Sequence, residues 1–167
     1  GVDLWLADPH VSIDSSKDDI KRVVDHIAGF GLKVGSFVAP IWGGAGGGSA
    51  MGDADEVKRF LSQVEKACRI GQWMRELGIR PTGGIRVDSS TGVEAWDKDP
   101  VGNTKKIADT FREAGKIAQG YGEYIVAEGE ICWGMHSWRE NVKLLEMVNM
   151  PGVVGYQADM AHSMLFV

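Results

Sequence analysis

The chain has 167 residues, 44% of them hydrophobic, which is enough to bury one sizeable core, so a single domain is expected. Its formal net charge is -5 and no run of Lys or Arg forms a basic patch, which argues against nucleic acid or an acidic membrane surface as the main partner. It contains no apolar run of transmembrane length and no signal-peptide pattern, and its two cysteines are far apart, so a cytoplasmic protein with reduced thiols is expected.

Short apolar segments of strand length alternate with longer segments that have helical periodicity. In chain order, the predicted strands are Val2–Asp8, Lys33–Pro40, Ile85–Asp88, Tyr124–Glu130 and Val153–Asp159. The predicted helix faces between them are formed by Ile20, Val23, Val24, Ile27 and Phe30, then by Val57, Phe60, Leu61, Val64 and Cys68, then by Ile107, Phe111, Ala114, Ile117 and Ala118, and last by Val142, Leu145 and Val148. Three helix starts carry a capping-box spacing, in Ser16 with Asp19, Asp53 with Glu56, and Ser137 with Glu140.

This alternation predicts right-handed βαβ units and a parallel sheet. Two architectures fit: an open doubly wound sheet, or part of a (β/α)8 barrel, which typically needs about 250 residues. Polar side chains lie at or just past the carboxyl end of each predicted strand, with Trp42 in that position after the second strand. A barrel gathers every carboxyl end around one mouth, whereas a doubly wound sheet uses two or three of them. The last strand has no predicted helix after it, and the chain opens in a strand without Met. We therefore predict an α/β fold, a partial (β/α)8 TIM barrel of about five βα units, with residues 1–167 as one incomplete domain truncated at both ends.

Carboxylates are the strongest chemical signal at these strand ends. Glu128 and Glu130 are two residues apart, so on an extended strand both side chains point the same way, and Asp159 ends the next strand. Such an oxygen-rich site suits Mg²⁺ or Mn²⁺, and a nearby imidazole would favour Mn²⁺, Co²⁺ or Zn²⁺. The structural alternatives are a solvated acid pair and, for Asp159, a helix N-cap.

Several other side chains near strand ends are candidates for contacts with a substrate. Trp5, Trp42 and Trp133 could stack on a bound ligand or pack in the core. Arg86 could clamp a substrate or form a structural ion pair with Asp88. His136 could be a further pocket residue or an ordinary loop histidine. The glycine-rich loop 43–52 predicts a lid or a flexible crossover, with phosphate binding as the less favoured alternative.

The segments "QADMAHS" and "VAEGE", with "LWLADPHVSIDSS", "GGGSAMG" and "GEICWGMHSW", resemble the xylose-isomerase-like TIM-barrel superfamily and its sugar phosphate isomerase/epimerase homologues. That resemblance implies that Glu128 binds a metal and transfers a proton, that Asp159 is a metal ligand, and that His162 contacts a sugar hydroxyl. Glu130 is the alternative to Glu128, because nothing in the sequence distinguishes them. The later His and Glu of the family's metal site would lie beyond Val167.

The resemblance implies a metal-dependent sugar or sugar-phosphate isomerase or epimerase that acts through an enediolate. A small-molecule sugar is the expected partner, and a homo-oligomer is compatible with it. The alternatives are a metal-dependent lyase or hydrolase on the same barrel, such as an inosose dehydratase or an apurinic endonuclease, and a catalytically incomplete fragment. The acidic balance and the low number of His residues, 4 in all, argue against the endonuclease.

Overall fold

A computed structural model describes residues 1–42, 46–81 and 83–165 of the chain. Within these ranges, five strands form one parallel sheet whose spatial order follows the chain, β1-β2-β3-β4-β5. The strands are β1 (Val2–Trp5), β2 (Val34–Val38), β3 (Ile85–Val87), β4 (Ile125–Glu128) and β5 (Val154–Gln157). A doubly wound sheet reverses its strand order at a switch point, and this sheet does not, so the predicted partial α/β barrel is confirmed.

Helices connect the strands, and the four long ones contain the faces that the sequence periodicity predicts, whereas the two short ones, Val93–Trp96 and Met160–Met164, were not predicted. The helices are α1 (Lys17–Gly29), α2 (Ala54–Glu76), α3 (Val93–Trp96), α4 (Pro100–Gly120), α5 (Trp138–Val148) and α6 (Met160–Met164). All three predicted capping boxes form, at Ser16, Asp53 and Ser137, and each such cap is worth about 1 kcal/mol. In the described ranges, no helix is both long enough and apolar enough to cross a membrane.

The strands are shorter than predicted, so some of the polar residues lie in the loops that follow them. β1 ends at Trp5 rather than at Asp8, and β5 ends at Gln157 rather than at Asp159. Glu128 is the last residue of β4, and Glu130 follows in the loop. The short helix α6 follows β5, where no helix was predicted, because Asp159 caps a new turn.

The core lies between the sheet and the helices that cover it. Phe60 of α2 and Phe111 of α4 are fully buried and stack with ring centroids 6.1 Å apart, and burying one such ring contributes roughly 1.5–3 kcal/mol. Two residues of the predicted helix faces are exposed instead: Phe30 (71%) lies at the C-cap of α1, and Val142 (43%) faces outward because Leu144 is the buried residue of that turn. The remaining residues of the predicted faces are buried or partly buried.

A buried ion cluster lies before β3 and β4, at the amino ends of the strands. Arg75 and Arg80 both contact the carboxylate of Glu123, and the guanidinium carbon of Arg80 lies 4.3 Å from the ring centroid of Phe37. Helix α2 approaches this carboxylate closely because residue 71 is Gly, where a Cβ would lie 2.6 Å from Glu123 Oε1. We call Arg75, Arg80 and Glu123 the amino-end cluster; its position leaves the opposite end of the sheet available for a functional site.

Candidate active site

Arg86 of β3 lies at the centre of a charged cluster at the carboxyl ends of the strands. Arg86 and Asp88 are two residues apart, as are Glu128 and Glu130, so each pair projects to one side of an extended backbone. Because β3 and β4 pair in parallel, the two pairs are neighbours. The guanidinium lies against Glu128, donates from Nη2 to Glu130 Oε2 at 2.8 Å, and has Nη1 3.9 Å from Asp88 Oδ2. We call these four residues the mouth cluster.

Burial and neighbouring charges act in opposite directions on Asp88 and Arg86. The side chain of Asp88 is 1% exposed, and burial raises its pKa to about 6, although Arg86 and two hydrogen-bond donors favour the ionised form. Burial alone would lower the pKa of Arg86, but the carboxylates of Asp88, Glu128 and Glu130 outweigh it and raise that pKa above its usual value. Arg86 therefore stays charged, and a single guanidinium faces three carboxyl groups, which leaves an excess of negative charge when all are ionised.

Three tryptophans form a row beside the mouth cluster. The ring centroids of Trp5 and Trp42 are 5.9 Å apart, and those of Trp42 and Trp133 are 6.4 Å apart with the planes at 19°. The Trp42 indole N–H donates to Asp88 Oδ2 at 3.2 Å, and the Trp133 indole N–H donates to Glu130 Oε2 at 2.8 Å. The sequence left packing and stacking open for each ring; the structure brings all three together and joins two of them to carboxylates. We call them the tryptophan row.

Residues of β5 and of the helical turn that follows it also contact the two glutamates of the mouth cluster. Gln157 donates to Glu128 Oε1 at 3.1 Å, and His162 Nε2 lies 3.7 Å from Glu130 Oε1. Asp159 is the N-cap of α6, where its Oδ1 accepts from the backbone N–H groups of Ala161 and His162. The hydrogen bond from the His162 backbone lowers the pKa of Asp159 most strongly.

Gln157 was not predicted as a site residue, although its position in the sequence offered an indication. It is a polar residue in an otherwise apolar strand, and the β4–β5 register places it directly opposite Glu128. Such a pairing is visible only once the register is known, because the two residues are far apart in the chain.

The other predicted site residues lie outside these contacts or outside the described ranges. His136 stacks edge-on against Trp96, with ring centroids 6.1 Å apart. In the glycine-rich loop 43–52, residues 43–45 lie outside the described residues, so the predicted lid and phosphate site stay predictions. The described part of this loop lies against the segment after β3, where the Ser90 hydroxyl is within hydrogen-bond distance of the carbonyl oxygens of Ile41 and Gly48.

The donor chemistry of the mouth cluster suits a hard divalent cation, since carboxylate oxygens are the ligands that Mg²⁺ and Mn²⁺ prefer. The cation that these carboxylates contact in the structure is the guanidinium of Arg86, with Gln157 on the other oxygen of Glu128. Among residues 1–42, 46–81 and 83–165, no three His, Cys, Asp or Glu side chains are grouped so that they could hold a metal ion. The metal site predicted from Glu128 and Asp159 therefore stays a prediction.

No protein-family model matches the chain, and no curated protein matches its sequence. Its fold, a partial α/β barrel, is similar to that of solved structures, three of which illustrate the likeness. An AP endonuclease of family 2 from Brucella melitensis superposes with a TM-score of 0.76 at 20% identity, over 99% of this chain and 60% of that one. A 3-keto-D-glucoside 4-epimerase from E. coli superposes with a TM-score of 0.65 at 18% identity, over 87% of this chain and 55% of that one. A xylose isomerase domain protein from Planctomyces limnophilus superposes with a TM-score of 0.67 at 12% identity, over 93% of this chain and 52% of that one.

The chain thus spans between about half and three fifths of the length of each of these structures. At identities of 12% to 20%, the similarity establishes the fold alone. What the site does has to be argued from its own residues.

Proposed function

We propose that the chain is part of a sugar or sugar-phosphate isomerase or epimerase, an enzyme that removes and returns a proton next to a carbonyl group. The observation that carries the proposal is the pair of hydrogen bonds from Trp42 to Asp88 and from Trp133 to Glu130, which join the tryptophan row to the mouth cluster. An apolar ring surface and acid–base groups are then parts of one site, which suits a sugar because it presents C–H faces and hydroxyl groups together. Two of the solved structures with this fold are named as an epimerase and a xylose isomerase domain protein, which supports the same class.

In this proposal, Glu128 transfers the proton, with Glu130 as the alternative. Arg86 contacts both carboxylates in the cation-free site, and His162, next to Glu130, contacts a sugar hydroxyl. If one carboxylate returns the proton to the neighbouring carbon, an aldose and a ketose interconvert; if a second carboxylate returns it to the opposite face, the carbon is epimerised.

The tryptophan row and the residues around it would bind the substrate. Trp5, which is 49% exposed, offers the most accessible ring of the row. Glu128 and Asp159 would hold a divalent cation, for which Mn²⁺ or Mg²⁺ is preferred to Co²⁺ or Zn²⁺. Such an ion would polarise the sugar carbonyl. The further role of His136 as a substrate contact, a cytoplasmic location and a homo-oligomer remain predictions.

The alternative is a lyase on the same barrel, because a lyase of the dehydratase kind begins with the same proton removal and then expels a hydroxyl group from the next carbon. An endonuclease is the less favoured alternative, since the excess negative charge of the mouth cluster would repel a phosphate backbone. Product analysis distinguishes an isomerase from a lyase, because only the lyase releases water and leaves an unsaturated or dehydrated product.

The test is incubation of the protein with a panel of ketoses and ketose phosphates in D₂O with Mn²⁺, followed by NMR. We expect deuterium to enter the carbon next to the carbonyl of at least one sugar. Glu128→Gln should lower the exchange rate by about 10²-fold or more, which is the usual contribution of a general base. If Glu130→Gln shows the larger loss instead, Glu130 is the proton-transferring group.

Glu113→Gln is the matched control, because Glu113 lies on α4 and is paired at the surface with Lys116. It changes the same functional group and should leave the exchange rate unchanged. An unchanged rate in both Glu128→Gln and Glu130→Gln, or the absence of exchange with every sugar of the panel, would refute the proposed function.

A further inference from the structure

We infer that Arg86 is an internal counter-ion that competes with a divalent cation for Glu128, so that an arriving cation displaces the guanidinium from that carboxylate. The inference rests on the proposed function in one respect, because the divalent cation belongs to that proposal. It concerns a residue of this chain and its effect on cation affinity, which can be measured without turnover.

The three guanidinium nitrogens of Arg86 each face a different carboxylate. Nε lies against Glu128, Nη1 is 3.9 Å from Asp88, and Nη2 is 2.8 Å from Glu130. The side chain of Arg86 is 7% exposed, so water screens these charges only weakly. A planar fork with several donors can contact separate carboxylates at once, which a single ammonium group cannot do.

The contact with Glu128 differs from the contact with Glu130 because it lacks an aligned hydrogen bond. Nη2 donates a hydrogen bond to Glu130, whereas the buried Nε has no aligned hydrogen-bond acceptor among the residues that the structure describes. Nε is therefore held against Glu128 by charge without a directional bond. A cation with a higher charge, bound to the same oxygen, would replace that attraction while the hydrogen bond to Glu130 stays intact.

Glu128 would also keep its position after the exchange. Its second oxygen accepts from Gln157 at 3.1 Å, and Gln157 lies on β5 just before Asp159, the other proposed holder of the cation. After displacement, Arg86 still faces Asp88 and Glu130, so its own charge remains compensated. The arrangement thus has two states, with either the guanidinium or the divalent cation on Glu128.

The experiment is calorimetric titration of the metal-stripped protein with MnCl₂, comparing the wild type with Arg86→Gln. Because the substitution removes the competing charge, we expect Arg86→Gln to bind Mn²⁺ at least tenfold more tightly, and the double variant Arg86→Gln/Glu128→Gln to lose this gain. Arg69→Gln, which removes an exposed guanidinium paired with Glu65, is the matched control and should leave the affinity unchanged. An Arg86→Gln variant that binds Mn²⁺ no more tightly than the wild type would overturn the inference.

A second measurement on the wild type covers the case in which Arg86→Gln does not fold. The Nε–Hε resonance of Arg86, assigned with Arg86→Lys as the reference spectrum, should shift when Mg²⁺ is added to saturation. A saturating Mg²⁺ titration that leaves this resonance in place overturns the inference. These readouts are separate from proton exchange. Tighter Mn²⁺ binding by Arg86→Gln without any proton exchange would refute the proposed enzyme and support the counter-ion role of Arg86. Proton exchange without tighter Mn²⁺ binding would refute the counter-ion role alone.

Discussion

Substitution of Glu123 by Gln should destabilise the protein strongly, because it leaves Arg80 as a buried charge without its counter-ion. The side chains of Glu123 and Arg80 are 0% and 1% exposed, and Arg75, at 35%, contributes the second contact to the same carboxylate. Breaking a buried ion pair by removing one partner costs about 3–5 kcal/mol. For a chain of this size, 1 kcal/mol shifts Tm by about 2–4 °C, so a decrease of about 6–20 °C is expected.

The assay is urea and thermal unfolding followed by circular dichroism, with Glu113→Gln as the control for loss of a surface carboxylate. Replacing both partners, in Glu123→Leu/Arg80→Met, should recover most of the loss, because no unpaired charge then remains in the core. A cost below about 1 kcal/mol for Glu123→Gln would refute this reasoning, since Arg80 would then have to be solvated or compensated by another group.

Two further predictions concern the titration of buried groups. Burial raises the pKa of Asp88 in the folded protein from its usual 3.8 to about 6. The protonated side chain therefore contributes roughly 3 kcal/mol to the free energy of unfolding below about pH 4, relative to Asp88→Asn, and this contribution is lost as the pH rises through 6. Urea unfolding between pH 4 and 8 measures this, and a difference between the two proteins that does not depend on pH would contradict it. Burial also raises the pKa of the Cys68 thiol to about 12, whereas Cys132 is exposed, so a disulfide-exchange reagent should modify one thiol per native chain and two in denaturant. Modification of both thiols at similar rates in the native protein would show that Cys68 is accessible.

The carboxylate pair of the candidate site was predictable, and its partner was not. Glu128 and Glu130 point the same way because side chains alternate along an extended backbone, which follows from their spacing alone. The sequence left two roles possible for Arg86, a substrate clamp or an ion pair with Asp88. The structure shows that Arg86 contacts both glutamates as well as Asp88. That choice depends on the lateral distance between β3 and β4, which no local pattern encodes.

The same limit applied to Asp159 and to the tryptophans. An Asp at the end of a strand is compatible with a metal ligand and with an N-cap, and the structure shows the capping hydrogen bonds to Ala161 and His162. Trp42 and Trp133 were each predicted near a strand end, but their stacking and their hydrogen bonds to Asp88 and Glu130 join segments that are far apart in the chain.

By itself, the amino-acid sequence determined the order and type of the five strands and of the four long helices, and the starts of three of those helices. These depend on interactions within a few residues, such as the capping box of Ser137 with Glu140, which forms wherever the backbone turns into a helix. The tertiary structure decided which side chain meets which at the carboxyl ends of the strands, since the register of neighbouring strands and the packing of helices behind them set those distances. The mouth cluster and the tryptophan row therefore exist as one site only after the sheet has formed, because the residues involved lie on separate strands and loops.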